Sequence, residues 1–469
     1  MTDRFLTRLI FGLLIISALV NLIGALGPEV GFDALWYHLT LPKLWLTKGF
    51  LLNPPGDLLF PGLMPRLTEV FYYTAIKYGN YHVAKLLHYF FGLLSALVTY
   101  KIACKLTEKK MAIMAALIFY SSLVVGWLSI SAYVDLSRTF FELLSFNYLI
   151  IWWQLKKDRY LVYSGLLMGL AISTKYLSLI SATAMLIIIL VLTKKVTKIV
   201  KYIASLSISL PWFIIAWKQS GNPLSPYNQA TFQTNLSLIK FSPLNFITDI
   251  YKLNIAAQDP TTPIFFIFIP LVIIWIWQNR KSISSNIPIF LLFAYSTLTI
   301  IGWYMIPSFS PETRYVVPYI PIWAILISII VQDKIIFSRQ ILKYSLLIII
   351  SLCILQISYR LYANKKYISF LLGKQTEQSF LTVNLPFQTN VFYDVDNYFK
   401  ENIQPNQRVL VVGTHNLFYI DFPYEHISWA NQNERFDYLL LQNSDIPPGY
   451  FPKDMIYNNS ITGIKLYRL

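Results

Sequence analysis

The sequence predicts a polytopic α-helical membrane protein of about eleven spans, with a small α/β domain at its C-terminal end. Three observations predict this class. Charged residues make up 13% of the 469 positions, against roughly 25% in soluble domains. The apolar residues fall in blocks of about 20, the length that a hydrocarbon core of about 30 Å demands of a helix. After residue 361 the pattern changes to short runs rich in β-branched and aromatic residues, separated by turn formers.

Apolar runs occupy residues 9–26, 82–103, 111–130, 133–153, 160–174, 177–193, 201–217, 263–279, 285–304, 314–331 and 342–360. The fifth is short, as a tilted or broken span would be. Arg4 and Arg8 precede the first run, so the excess of cations in cytoplasmic loops places the N-terminus inside. Every second loop should then be cytoplasmic and basic. KIACKLTEKK (101–110), KKDR (156–159), KKVTKIVK (194–201), NRK (279–281) and the 333–343 loop with Lys334, Arg339 and Lys343 all comply. An odd number of spans puts the C-terminus outside a plasma (inner) membrane. The first run shows no convincing small-residue cleavage site and reads as a retained helix. Residues 1–360 are therefore expected to form the membrane domain, with long external loops at 27–81 and 218–262.

The net charge of +16 resides mainly in the short basic loops, so it reads as topology and calls for no nucleic acid partner. Cys104 and Cys353 are spaced for neither a metal site nor a disulfide. No internal repeat suggests the inverted halves of a transporter. In the first external loop, LTEVFYYTAIKYGNYH (67–82) has the amphipathic pattern of a helix lying on the membrane surface. In the tail, RVLVVG (408–413), FDYLLLQ (436–442) and GIKLYRL (463–469) read as strands, and NVFYDVDNYFKEN (390–402) as a helix before the first. Residues 361–469 are thus an extracytoplasmic α/β domain. VLVVGTHN lacks a Gly-x-Gly-x-x-Gly pattern, which argues against nucleotide binding.

Ionisable residues gather on the external side. Asp33, Tyr37, His38 and Lys43 crowd into DALWYHLTLPK, an amphipathic helix against the membrane mouth. Asp135 opens the fourth span, with Arg138 three residues on and Glu142 a further turn below. A charge in a membrane segment costs about 2.5–3.5 kcal/mol on insertion scales unless paired or hydrated. An Asp135–Arg138 pair at i, i+3 is one resolution; a polar cavity is another. Lys175 interrupts GLAISTKYLSL, and snorkelling is the plain account. Arg314, in PETRYVVPYIPIW, stands among prolines 307, 311, 318 and 321; an ion pair with Glu312 is its plain account. External loops should be poor in cations, so Lys175 and Arg314 point to an anion, and arginine suits phosphate. Carboxylates and cations on one rim fit one chemistry. A carboxylate deprotonates an attacking hydroxyl while cations stabilise a departing phosphate, such as that of a lipid-linked sugar.

GFDALWYHLTLPK, SAYVDLSRTFFELL, GLAISTKYLSL, GNPLSPYNQ (221–229) and ETRYVVPYIP together resemble the GT-C superfamily of integral-membrane glycosyltransferases. The likeness is to its family 39-like branch, relatives of protein O-mannosyltransferases and the lipid A aminoarabinose transferase. The resemblance implies a polyprenyl-phosphate sugar donor, a glycan, lipid or protein acceptor, and inverting transfer. It implies that Asp33 is the catalytic base and Asp135 the second acid. Lys175 and Arg314 are then expected at the phosphate. Tyr37, His38, Glu69, Arg138 and Glu312 are further substrate-side candidates, with a structural hydrogen bond as the alternative for His38. Many relatives carry paired acids in the first loop, whereas Asp33 is followed by Ala34, which leaves a divalent cation open. Two rival readings stand beside this one. A transporter or flippase should show repeat symmetry and polar residues at mid-membrane depth. A polysaccharide polymerase or ligase would favour an arginine-rich external loop, yet 218–262 contains no arginine.

Overall fold

The structure, a computed structural model, describes residues 3–49, 55–226, 243–305, 312–431 and 434–469. Pro307, Pro311 and residues 227–242 of the second long loop, including the end of GNPLSPYNQ, lie outside the described residues.

Each of the eleven apolar runs falls on helix. Helix α1 (Asp3–Ala25) leads into a π-helical turn (Ala34–His38), α2 (Thr40–Lys48) and α3 (Leu67–Tyr78). The bundle continues through α4 (Tyr81–Ala103), α5 (Lys109–Ser121), α6 (Asp135–Leu155), α7 (Asp158–Thr174), α8 (Ser178–Thr193) and α9 (Val196–Ser220). It closes with α10 (Ile269–Ser285), α11 (Ile287–Met305), a tight turn at Thr313–Tyr319 that feeds α12 (Ile320–Val331), and α13 (Arg339–Asn364). Among the described residues, six helices are by themselves long and apolar enough to cross a membrane: α1, α4, α9, α11, α12 with its leading turn, and α13. The chain is an integral membrane protein.

Helix α5 shows why the bundle closes as it does. Its residues Met111–Ser121 are buried on every side, as expected for a helix with no polar face. Helices α1, α4 and α12 pack around it. Helix α3 replaces the expected surface helix over most of its length, but it turns Thr68, Glu69, Tyr72 and Ala75 inward.

The C-terminal domain is a five-stranded sheet of order β2-β1-β3-β5-β4. Its strands are β1 (Val409–Val412), β2 (Tyr424–His426), β3 (Tyr438–Gln442), β4 (Met455–Asn459) and β5 (Ile464–Arg468). Strand β1 runs parallel to β2 and β3, and β5 antiparallel to β3 and β4. β1 and β3 are buried at every position, the signature of strands covered on both faces. Both were readable for that reason. Strand β2 has only three residues, and β4 is a half-exposed edge, so neither carries a periodic signal. The helix expected over 390–402 is confined to Tyr398–Asn402. Asn397 before it takes φ +62°, and Val391 bridges to Asn416 instead.

This sheet docks onto the first long loop through the segments that follow β1 and β2. Asn416 Nδ2 donates to Phe32 O at 3.0 Å and Tyr419 OH to Glu29 O at 2.8 Å. Lys43 Nζ donates to Phe418 O, Ile420 O and Asp421 Oδ1 at 2.7, 2.9 and 2.6 Å. Asp57 N–H donates to Ser428 Oγ at 3.1 Å. Lys43→Ala removes three acceptors' partner, and hydrogen bonds from a charged donor contribute about 1.5–3 kcal/mol each at most. The expected outcome is a C-terminal domain cleaved faster in limited proteolysis while the bundle resists as before.

Candidate active site

The site begins with how the chain leaves α1. The last carbonyls of a helix lack intrahelical partners, and here Lys85 of α4 supplies one. Its Nζ donates to Gly24 O, Gly27 O and Pro28 O at 3.2, 2.7 and 2.9 Å, and the residue is fully buried. Gly27 lies so close to the Tyr367 ring that a Cβ would stand 2.1 Å from its Cδ1. Glu29 then accepts from Val30 N–H, Gly31 N–H and, across the loop, Ala132 N–H at 2.9, 2.7 and 2.7 Å. Asp33, next to enter a helical turn, is held in place by both anchors.

The Asp33 carboxylate pairs with the Arg314 guanidinium, which also holds Glu312. Tyr37 OH, one turn on, donates to Asp33 Oδ2 at 3.4 Å, and Asp33 N–H donates to Tyr133 OH at 3.3 Å. Burial, and then the Asp33 charge, push the Tyr37 phenol well above its usual range, so it stays a donor. Asp33, Glu312 and Arg314 line a cavity of about 530 Å³ together with Trp127, Tyr133 and Lys252.

Asp135 and Lys175 form the second pair, at 2.8 Å. Asp135 opens α6, where the helix dipole favours an acid. Lys175 sits in the extended break between α7 and α8, at φ −158° and ψ 132°. Its Nζ is 5.0 Å from the Tyr315 ring, and the Arg314 guanidinium is 5.3 Å from the same ring. Tyr315 thus brings both cations of the expected phosphate site together.

The i, i+3 partner considered for Asp135 is engaged elsewhere. Arg138 Nε pairs with Glu142 Oε1 at 2.6 Å, both side chains wholly buried, and its Nη1 reaches Tyr315 O at 3.2 Å. Glu142 also accepts from Ser178 and Tyr295 at 2.8 and 3.3 Å, and from Ser181. Arg138 does not reach the cavity; it ties α6 to the turn before α12, while Glu142 ties α6 to α8 and α11. His38 and Glu69 do not line the cavity either. They bond at 2.6 Å behind Tyr37 with 3% and 4% of their side chains exposed, the structural role weighed for His38.

Arg66 escaped the sequence reading. It is buried one turn before Glu69, its Nε and Nη1 make no hydrogen bond, and its guanidinium lies 5.4 Å from the Trp45 ring. Burial lowers it to about 10, which leaves it cationic at neutral pH. The signal was available: a cation in an external loop, the argument applied to Lys175. Among the described residues, no three His, Cys, Asp or Glu side chains are grouped to hold a metal ion.

The Glu142 network predicts a clear asymmetry. Glu142→Ala strands a buried guanidinium, at a cost of about 3–5 kcal/mol, and thermal unfolding in detergent should register it. Glu312→Ala, at the exposed rim, should leave the melting temperature almost unchanged.

Residues 72–217 match the family described as dolichyl-phosphate-mannose-protein mannosyltransferase. A comparison with curated proteins finds no match. Among solved structures, apo ArnT from Cupriavidus metallidurans is similar at 13% identity and TM-score 0.63, covering 97% of each chain. ArnT bound to undecaprenyl phosphate is similar at 12% identity and TM-score 0.58, covering 100% of this chain and 98% of that one. The Archaeoglobus fulgidus oligosaccharyltransferase in complex with Zn and sulfate is similar at 12% identity and TM-score 0.54, over 92% of this chain and 68% of that one. At such identities the likeness is one of architecture, and it bears out the resemblance noted in the sequence: this chain has the fold of the GT-C membrane glycosyltransferases.

Proposed function

We propose that this protein transfers a sugar from a polyprenyl-phosphate donor to an acceptor hydroxyl at the outer face of the membrane, with inversion. The observation that carries the reading is the Asp33–Arg314 pair facing a cavity, with Lys175 across the Tyr315 ring. A solved structure of the same architecture, ArnT, was obtained with undecaprenyl phosphate bound, which supports a lipid phosphate as the anion.

Before the donor arrives, each cation is matched to a carboxylate: Arg314 to Asp33 and Glu312, Lys175 to Asp135. The phosphate competes for both. The donor is a phosphodiester monoanion whose two non-bridging oxygens match the guanidinium fork as a carboxylate does, and the second charge that develops as the phosphate leaves strengthens that pairing. Once Arg314 turns to phosphate, Asp33 is free to accept the proton of an acceptor hydroxyl. The hydroxyl oxygen attacks the anomeric carbon, the bond from that carbon to the phosphate oxygen breaks, and the polyprenyl phosphate leaves. Arg314 and Lys175 stabilise the charge gathered on it. Asp135 holds the Lys175 amine towards the site, and Tyr37 steadies Asp33.

Asp33→Asn should lower transfer by about 10²–10⁴-fold, the usual contribution of a general base, with polyprenyl-phosphate binding retained; wild-type turnover in that variant would remove Asp33 from the role. Arg314→Ala should weaken binding of polyprenyl phosphate by about tenfold to a hundredfold, as loss of a charged hydrogen bond implies. An unchanged affinity, measured by titration of the purified protein, would take the phosphate away from Arg314.

A further inference from the structure

A second cavity, of about 610 Å³, opens on the flank of the bundle at the end remote from Asp33. Helices α1 and α4 both pack along α5 more extensively than against each other, so α5 forms the floor of a groove between them. Ile113 and Ala116 of α5 lie on the floor, and the walls are Phe11 and Ile15 of α1 and Ala96 and Leu97 of α4, where the small Ala96 leaves room. At about 1.5 Å per helical residue, the lining from Thr7 to Ala18 extends about 16 Å, half of a hydrocarbon core of about 30 Å. The groove is therefore one leaflet deep.

Its chemistry changes at one end only. Arg8, Lys109 and Tyr100 close the groove at the membrane boundary where α1 begins. Among the described residues, neither Arg8 nor Lys109 takes part in an ion pair, whereas the adjacent Lys110 is bound to Asp3 at 2.9 Å. A neutral lipid would satisfy the walls and leave two cations without a counter-charge. Basic pockets between membrane helices hold acidic lipid headgroups, and a tyrosine at this depth suits the headgroup level.

We propose that this groove is a binding site for one acidic glycerophospholipid of the leaflet opposite the active site, its phosphate against Arg8 and Lys109 and one acyl chain along α5. It is separate from the donor pocket, which lies beyond the other end of α1. The site does not depend on the transferase reading.

The test is native mass spectrometry of the purified full-length protein in detergent, with phosphatidylglycerol or phosphatidylcholine added at equal concentration. Wild type should retain one phosphatidylglycerol about tenfold or more in preference to phosphatidylcholine, as two cations at the headgroup imply. The Arg8→Gln, Lys109→Gln double variant, altered only at exposed positions, should lose that preference. Ala96→Phe, which fills the groove from the α4 wall, should lower retention of both lipids. Equal retention of the two lipids by wild type would overturn the proposal, as would an undiminished preference in the double variant. Displacement of phosphatidylglycerol by an equal concentration of polyprenyl phosphate would do the same.

Discussion

The turn that carries Arg314 to the rim of this protein depends on one ion pair inside it. Arg138 and Glu142 are both fully buried one turn apart on α6, where an isolated charge would cost several kcal/mol. Neither is left short of partners. Glu142 collects donors from α8 and α11, and Arg138 reaches the backbone and hydroxyl of the turn before α12. Helices that enter lipid gain little from hydrophobic burial against each other, so packing and interhelical hydrogen bonds fix their register. This network fixes the turn at Thr313–Tyr319 against α6, and with it the position of Arg314 relative to Asp135 and Lys175.

The opposing half of the site is held by different means. Asp33 lies in a loop, and loops owe their order to what they touch. Here the contacts come from above and below. Lys85 and Glu29 attach the loop to the bundle, while Asn416, Tyr419 and the acceptors of Lys43 attach it to the sheet. His415 adds ring contacts to Phe32 and Trp36 on either side of the carboxylate. The C-terminal domain is thus part of the scaffold that positions Asp33.

The membrane helices were legible because lipid imposes one simple rule, a long apolar run for every crossing. Strands β1 and β3 were legible because both faces are buried. The gathering of Asp33, Asp135, Lys175 and Arg314 was legible from topology, since alternate loops share a side of the membrane. Which acid meets which cation was not. Sequence proximity offered Arg138 to Asp135, but on a helix the i, i+4 carboxylate of Glu142 took it, and Asp135 found Lys175 forty positions away. Glu29, Arg66 and Lys85 were passed over for a related reason. A charge in or beside an external loop reads as solvated until the fold shows it buried.

The docking of the sheet on the first loop also has a consequence for biosynthesis. Asn416 bonds to a carbonyl 384 positions earlier. At about 5–20 residues per second, the loop bearing Asp33 emerges about 20–80 s ahead of the segment that clamps it. During that interval the Asp33 carboxylate sits on an unfinished scaffold. A chain that ends before Asn416, even one with every membrane helix in place, lacks the contacts that hold the Asp33 loop from the C-terminal side. The segments after β1 and β2 must be made before that loop is held from both sides.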